Sequence, residues 1–167
     1  VGSEMCIRDS PYGTAFVKNG YVGRTFIKPK QSSRESSVRV KLNVLREAVE
    51  GKRVIMIDDS IVRGTTSDRI VHMLREAGAK EVHMRVSSPP FLWPCYFGTD
   101  VPAREQLIAY NRTVEEIRQV IGADSLGYLD CSRLRQMAGD LPICTGCFTG
   151  NYPLDPPMED IRGEFEQ

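Results

Sequence analysis

Apolar and polar positions follow two different periods along the middle of this 167-residue chain. The apolar run in Lys52–Ile57 predicts a buried strand, and Glu81–Val86 predicts a second strand. Between them, Thr65–Ala77 carries apolar residues at three- and four-residue steps, which predicts a helix that Gly78 ends. A strand–helix–strand succession predicts a right-handed parallel crossover. We therefore predict an α/β fold, with a parallel sheet flanked by helices.

The segments before this unit are less regular. Residues 15–27 predict a hairpin or a loop after a short strand, because Asn19-Gly20 is a turn signal. A helix is predicted from Ser32 or Ser33 to about Glu50, ended by Gly51. Its buried stripe would consist of apolar residues at three- and four-residue steps, namely Val38, Leu42, Leu45 and Val49.

Shorter elements are predicted after the second strand. Three prolines make residues 87–98 irregular. Thr113 and Glu116 have the spacing of a capping box, in which each residue's side chain pairs with the other's backbone. In chain order, the predicted elements are helices at 102–110 and 113–121, a strand at 126–129, a helix at 132–137, and a Gly- and Pro-rich loop at 144–157.

Composition excludes several classes of protein. Lysine plus arginine and aspartate plus glutamate both number 22, so no net basicity points to nucleic acid. No apolar run has the length of a membrane helix, and Val1–Ser10 has no signal-peptide core. Five cysteines are an odd number, which does not suggest a disulfide framework and favours a reducing cytoplasm.

The first candidate site lies where the first parallel strand ends. Asp58 and Asp59 follow the apolar run, and strand ends in open α/β sheets face the ligand crevice. A glycine-containing loop and a helix start at Thr65 come next, so backbone N–H groups can bind a phosphate. The residues suit a ligand with sugar hydroxyls, a phosphate and Mg²⁺. The simpler alternative is a solvated acidic turn followed by helix capping at Thr65.

The second candidate site consists of cysteines. Cys144 and Cys147 flank a Thr-Gly turn, a spacing used for metal or cluster ligation, and Cys95 lies in an irregular, proline-flanked segment. Unrelated thiols, a redox pair and a zinc site are the alternatives. His72 and His83 have no metal-site context, so we predict a surface residue and a strand residue. Cys131 is predicted to pack, and Trp93 to anchor its segment.

Several motifs together resemble one family. The strand, acid pair, Gly/Thr loop and helix resemble the signature of type I phosphoribosyltransferases. From about Pro11 to Pro156 the chain is similar to the C-terminal part of the glutamine phosphoribosylpyrophosphate amidotransferases. The motifs occur in that family's order and are YVGRTFIKP (21–29), VRVKLN (38–43), DDSIVRGTTS (58–67), SSPP (87–90), PCYFGTD (94–100), EEIRQVIGADSLGYL (115–129) and CTGCFTGNYP (144–153).

The resemblance assigns roles to the first site. It implies that Asp58 and Asp59 contact the ribose hydroxyls of phosphoribosylpyrophosphate and its Mg²⁺. It implies catalytic roles for Arg24, at the start of a closing loop, and Lys41, at a basic helix entry, with Lys18 a weaker candidate. The implied substrate-binding residues are the acid pair and the loop after it: Asp58, Asp59, Ser60, Arg63, Gly64, Thr65, Thr66 and Ser67.

The resemblance also narrows the cysteine site. Cys95, Cys144 and Cys147 match the branch of the family that carries a 4Fe-4S cluster. That branch takes its fourth ligand from well upstream, so the implied fourth ligand lies outside this chain. Cys6 lies in a different context and is not expected to replace it.

The resemblance further implies a reaction and partners. Members join an N-terminal glutaminase to a phosphoribosyltransferase domain and make 5-phosphoribosylamine and diphosphate in the first step of purine synthesis. They are usually homotetramers. We expect residues 1–10 to be an unmatched, foreign leader, 11–157 a partial phosphoribosyltransferase domain with the cysteine-bearing region, and 158–167 a polar tail. With no glutaminase, the fragment is expected to be inactive with glutamine.

Two other classes of function remain open. One is a phosphoribosyltransferase-like regulatory module that binds phosphoribosylpyrophosphate or nucleotides without catalysis. The cysteines and the GRTFI loop (23–27) are unnecessary for such a sensor. The other is a small zinc- or cluster-binding interaction protein, for which the acid pair and the threonine-rich loop are unnecessary.

Overall fold

A computed structural model describes residues 12–18, 42–98 and 103–155 of the chain. Its centre is a parallel sheet in the order β3-β4-β5, formed by Arg53–Asp58, Glu81–Val86 and Ser125–Tyr128. Both strand pairs are parallel, with Val54 opposite Val82 and Met84 opposite Leu126. The predicted α/β class and the predicted strands are therefore confirmed.

Helices cover one face of this sheet. Helix α2 spans Thr65–Glu76 and helix α3 spans Val114–Val120, each following a strand of the sheet. Apolar residues from the three layers are buried together because they recur at alternate strand positions and on one helix face. The most buried members include Leu74, Val82, Met84, Ile117 and Ile121.

In the described part of the chain, no helix covers the opposite face of the sheet. Ile55 and Ile57 of β3 lie on it, and each remains 59% exposed. His83 and Arg85 of β4 lie on the same face and both hydrogen-bond the Ser125 hydroxyl of β5, at 2.9 and 3.0 Å. On this face of the three described strands, hydrogen-bonded polar side chains therefore lie beside two exposed isoleucines.

A second, two-stranded sheet shows that one helix prediction was wrong. Strand β1 (Phe16–Lys18) pairs antiparallel with β2 (Leu42–Val44), so residues predicted as helical form a strand. Pairing across a gap of more than twenty residues overrides the local periodicity. Among the described residues of the predicted helix, only Arg46–Val49 is helical (α1), and Leu45 is 40% exposed although it was predicted to be buried. Residues 32–41 lie outside the described part of the chain.

The C-terminal half differs from prediction in two places. The predicted helix at 102–110 contains only a 3₁₀ turn, Arg104–Gln106, among its described residues. The predicted loop at 144–157 contains a short helix, α5, at Gly146–Thr149. Helix α4 spans Cys131–Ala138, and α3 begins with the predicted capping box. Here one Glu116 carboxylate oxygen accepts from the Thr113 N–H at 2.7 Å.

Candidate active site at the carboxyl end of the sheet

The acid pair lies at the carboxyl end of β3, as its sequence position predicts. Asp58 is the last residue of the strand, and its carboxylate accepts from the Asp59 N–H at 3.0 Å. The Asp59 carboxylate in turn accepts from the Ser60 N–H at 2.9 Å. Ser87 donates to the Asp58 carbonyl through its N–H at 2.9 Å and its hydroxyl at 3.1 Å. The two carboxylates are thus held at a turn that is tied to the end of β4.

The two carboxylates differ in their surroundings. Burial raises the pKa of Asp58 to about 6, and hydrogen bonding and charge repulsion from Asp59 act in the same direction, while the Asp59 N–H acts against them. Asp59 is exposed. No positively charged group is among those that shift the pKa of Asp58, so its ionised form lacks a charge partner there. A divalent cation or a hydroxyl donor at this position would supply the interaction that the ionised form lacks.

The loop after the acids is fixed at its two ends. Ile61 is buried, and the Val62 carbonyl accepts from the Ile108 N–H at 2.8 Å. Gly64 has a φ of +81°, and a Cβ atom there would overlap the Ile108 side chain. Two independent constraints therefore require glycine at position 64: its backbone conformation and the contact with Ile108.

Helix α2 begins at this glycine. Gly64 is the N-cap residue, and no side chain caps the helix among the described residues, so the simpler alternative of helix capping by Thr65 does not hold. Thr65 and Thr66 are exposed, whereas Ser67 is buried. The first amides of α2 therefore lack intrahelical acceptors and face the same edge of the sheet as the acid pair. Uncapped helix N-termini of this kind attract anions.

The predicted cations fall largely outside the described residues. Arg24 and Lys41 lie in the segment 19–41, and of Lys18 only the backbone, in β1, is described. Their predicted roles at a departing diphosphate remain untested. Arg63, which belongs to the loop itself, is exposed.

Backbone hydrogen bonds bring the cysteine-bearing segments together. The Cys147 carbonyl accepts from the N–H groups of Leu92 and Trp93, each at 3.0 Å. The Tyr152 hydroxyl donates to the Pro94 carbonyl at 2.7 Å. Cys95 and Cys147 both pack against the small apolar cluster around Phe91 and Leu107. Residues 91–95 and 144–152 therefore form one unit.

The cysteines in this unit are not in disulfide bonds, and the thiol of Cys147 is kept protonated by its surroundings. Burial raises the pKa of Cys147 to about 11, and the nearby Cys95 thiol adds to the rise, with smaller effects from Cys144 and Cys131. A redox pair needs a lowered thiol pKa, so this environment does not favour the thioredoxin-like alternative. Within residues 12–18, 42–98 and 103–155, no three His, Cys, Asp or Glu side chains converge closely enough to share one metal ion.

Two features of the site region were not predicted. Ile108 contacts the loop at Val62 and Gly64, but nothing in the sequence marks a contact between residues so far apart. The Tyr128 hydroxyl is buried without a hydrogen-bond partner among the described residues.

Arg104 stacks 3.5 Å from the Trp93 ring centre, which agrees with the prediction that Trp93 anchors its segment. His72, on α2, is exposed as predicted, and His83 is a strand residue.

Taken together, the fold and the site define a class of protein. A parallel sheet whose strand β3 ends in an acid pair, followed by a glycine-led loop and an uncapped helix, is the arrangement of a type I phosphoribosyltransferase. Two solved structures share this fold with the chain. The described part contains no helix with the length and apolarity needed to span a membrane.

Comparison with known proteins identifies the family. The chain is 56% identical over 156 residues to an amidophosphoribosyltransferase of Archaeoglobus fulgidus, covering 91% of this chain and 34% of the relative. It is 55% identical over 151 residues to that of Bacillus subtilis, covering 87% and 32%. No protein-family model matches the chain. The chain belongs to the amidophosphoribosyltransferases and corresponds to their C-terminal portion.

The structural comparison agrees. The glutamine phosphoribosylpyrophosphate amidotransferase of B. subtilis, solved in complex with ADP and GMP, superimposes with a TM-score of 0.76 at 53% identity. The match covers 90% of this chain and 34% of that one. A structure of the allosteric regulatory enzyme of purine biosynthesis gives a TM-score of 0.75. The chain thus spans about a third of the length of the relatives it matches.

Proposed function

We propose that this chain forms the ribose- and phosphate-binding half of an amidophosphoribosyltransferase active site. The observation that carries the proposal is the position of Asp58 and Asp59 at the end of β3, directly before the Gly64-led start of α2. Carboxylates accept hydrogen bonds from hydroxyl groups and bind cations, and here they lie beside a helix start that attracts anions. A ribose 5-phosphate requires this combination. The names of the relatives indicate phosphoribosylpyrophosphate as the ligand.

Each part of the ligand has a matching group in the chain. The 5′-phosphate binds the loop and helix start from Arg63 to Ser67, which offers uncapped backbone amides and the hydroxyls of two exposed threonines. The ribose hydroxyls bind Asp58 and Asp59, which would also hold Mg²⁺. When bound, Mg²⁺ offsets the negative charge that develops on the departing diphosphate. Ser60, at the turn between the acids and the loop, lies next to both groups.

The proposed reaction requires positioning more than proton transfer. The nitrogen of ammonia forms a bond to C1 of the ribose, the bond from C1 to the diphosphate oxygen breaks, and diphosphate leaves with the electron pair. The attacking nitrogen then loses a proton to solvent. Binding the ribose and phosphate in a fixed orientation lowers the entropic cost of reaching the transition state. Arg24 and Lys41, in the proposed closing loop and basic helix entry, would neutralise the leaving group and exclude water.

The remaining partners follow from the family and are part of the proposal. The ammonia comes from glutamine in an N-terminal glutaminase domain of the same polypeptide, and the complete enzyme is a cytoplasmic homotetramer. The product, 5-phosphoribosylamine, belongs to the first step of purine synthesis. The chain by itself is expected to release no diphosphate when supplied with glutamine.

The cysteine unit is proposed to hold a 4Fe-4S cluster through Cys95, Cys144 and Cys147. The donor set fits, because the three cysteines belong to one folded unit and none of them is in a disulfide bond. The protonated Cys147 would release its proton on binding iron. The cluster would crosslink segments 91–95 and 144–152, which otherwise share only hydrogen bonds and apolar contacts.

Calorimetric titration of the chain with phosphoribosylpyrophosphate, in the presence and absence of Mg²⁺, tests the first site. Asp58→Asn and Asp59→Asn should each weaken Mg²⁺-dependent binding by about ten- to a hundredfold, because a hydrogen bond to a charged group contributes about 1.5–3 kcal/mol. Asp140→Asn is the matched control, since Asp140 is an exposed acid after α4. Equal affinities for all three variants and the parent chain would contradict the proposal.

A further inference from the structure

Four polar side chains form a hydrogen-bonded line on the face of the sheet that no described helix covers. Glu81 and His83 are alternate residues of β4, and Ser125, the first residue of β5, pairs with His83 across the sheet. The imidazole Nδ1 of His83 lies 2.9 Å from the Ser125 Oγ, and its Nε2 lies 2.9 Å from a Glu81 carboxylate oxygen. Arg85 completes the line, because its guanidinium donates to the Ser125 Oγ at 3.0 Å.

The donors and acceptors in this line determine where the protons lie. A carboxylate only accepts hydrogen bonds, so the His83 Nε2 beside Glu81 carries the imidazole proton. In a neutral imidazole the other nitrogen, Nδ1, is then an acceptor, and it takes its hydrogen bond from the Ser125 hydroxyl. The serine proton thus faces a base that a carboxylate orients. A hydroxyl, a base and a third group that orients the base form the arrangement that activates a serine nucleophile.

The backbone of β5 allows Arg85 to reach the serine. Gly127 lies opposite Arg85 in the sheet, and a Cβ atom there would be 3.2 Å from the Arg85 Cδ and 3.5 Å from its Nε. The arginine side chain therefore passes over the bare backbone of Gly127 on its way to Ser125. A guanidinium N–H at this place can stabilise negative charge that develops beside the serine oxygen.

The line is accessible to small molecules and has an apolar neighbour. The side chains of His83 and Glu81 are 25% and 34% exposed. Ile55 pairs with His83 on the β3 side and is 59% exposed, so Ile55 and Ser125 flank the imidazole on the two neighbouring strands. These two residues are about 10 Å apart, which is two strand spacings. A small ester with its carbonyl at the serine therefore has apolar surface within reach.

We propose that Ser125 is a nucleophile that cleaves small, activated acyl esters, with His83 as its general base and Glu81 as the residue that positions the imidazole. The Ser125 Oγ forms a bond to the acyl carbon, its proton moves to the His83 Nδ1, and the alcohol leaves with the electron pair and that proton. Water then attacks the acyl carbon, the bond to Oγ breaks, and a proton from the water returns through His83 to the serine while the carboxylic acid leaves.

The position of this line separates it from the candidate active site. Glu81 and Ser125 are the first residues of β4 and β5, whereas Asp58 is the last residue of β3. Because the strands are parallel, the line and the acid pair lie toward opposite edges of the sheet. The proposed ester cleavage is therefore independent of the proposed phosphoribosylpyrophosphate site, and either can fail without the other.

A fluorophosphonate probe tests the nucleophile directly. The serine oxygen bonds to phosphorus, fluoride leaves with the electron pair, and peptide mass spectrometry locates the stable adduct. We expect the adduct at Ser125 in the parent chain and no adduct at position 125 in Ser125→Ala. His83→Gln should slow the labelling of Ser125 about a hundredfold, because general base catalysis contributes about 10²- to 10⁴-fold.

Glu81→Gln tests the positioning residue. Glutamine can still accept the hydrogen bond from Nε2 but carries no charge. Since a hydrogen bond to a charged group is worth about 1–1.5 kcal/mol more than a neutral one, labelling should slow about tenfold. The urea midpoint should stay unchanged, whereas a purely structural role of Glu81 would leave the labelling rate unchanged too.

Hydrolysis of p-nitrophenyl acetate measures turnover and needs a control, because exposed imidazoles attack this ester by themselves. His72→Gln is the matched variant, since His72 forms an exposed pair with Glu76 on α2, at 3.2 Å. We expect His72→Gln to hydrolyse the ester as the parent chain does, and His83→Gln and Ser125→Ala to lose most of the activity. The absence of an adduct at Ser125, equal labelling rates in His83→Gln and the parent chain, or equal losses of turnover in His72→Gln and His83→Gln would each overturn the proposal.

Discussion

Replacing Gly64 with alanine tests what shapes the loop between Asp59 and helix α2. The residue has a φ of +81°, and an added Cβ would overlap the Cδ1 atom of Ile108. The left-handed conformation costs a non-glycine residue about 1–2 kcal/mol. Relieving the overlap within a packed core costs about 1–3 kcal/mol more. We therefore expect Gly64→Ala to lower the free energy of unfolding by about 2–5 kcal/mol.

A second glycine separates these two contributions. Gly51 also has a positive φ, +69°, but a Cβ there would have no atom within 4 Å. Gly51→Ala should therefore show the conformational cost alone, about 1–2 kcal/mol. Urea denaturation of both variants, followed by tryptophan fluorescence, gives the difference directly. That difference measures the overlap with Ile108.

Shortening the opposing side chain completes the test. Ile108→Val removes the Cδ1 atom and should cost about 0.5–1.5 kcal/mol in the parent chain. In the Gly64→Ala background the same change should cost nothing or restore stability, which gives a coupling of about 1–2 kcal/mol in a double-mutant cycle. Equal costs for Gly64→Ala and Gly51→Ala, or no coupling to Ile108, would refute the idea that this contact shapes the loop.

Three other predictions concern single side chains. Because burial raises the pKa of Asp58 to about 6 in the folded chain, the folded state binds this proton more tightly than the unfolded state. Protonated Asp58 therefore adds about 1–2 kcal/mol to the free energy of unfolding, after discounting for partial exposure. This contribution is present below about pH 4 and is lost as pH rises to 6. Asp58→Asn should remove this contribution, so the free energy of unfolding should change between pH 4 and pH 7 by a different amount in the variant than in the parent chain. An equal change in both would contradict the assignment. Tyr128→Phe removes a buried hydroxyl without a described partner, so the urea midpoint should stay equal or rise, and a loss above about 1 kcal/mol would reveal a partner. Arg104→Lys replaces the planar group over Trp93 and should lower stability by about 0.5–1 kcal/mol, measured against Arg133→Lys on the exposed surface of α4.

The sequence predicted the parts of the fold that local pattern determines. The β3-α2-β4 unit follows from an apolar run, a helical period and a second apolar run, and the structure has all three. The acid pair could be placed because parallel strands present their carboxyl ends to the ligand crevice. Thr113 and Glu116 could be paired because a capping box acts over three residues.

Long-range contacts account for what could not be predicted. Leu42 and Val44 fit a helical stripe by spacing, but pairing with β1 makes them a strand. Helix α5 contains Gly146 and Thr149, which are weak helix formers, and it is held by contacts of the Cys147 carbonyl with residues 92 and 93. The role of Ile108 depends on a contact 44 positions away from Gly64 in the sequence.

The face of the sheet that no described helix covers has a consequence for the chain in solution. Ile55 and Ile57 stand on β3, which pairs with β4 on one side only among the described strands. Exposed branched side chains on the face of a sheet favour contact with other copies of the chain. Purified chain should therefore self-associate as its concentration rises, and arginine at position 55 should raise the solubility limit without altering the buried face. How much of this chain can be kept in solution would then depend on two isoleucines that contribute little to its core.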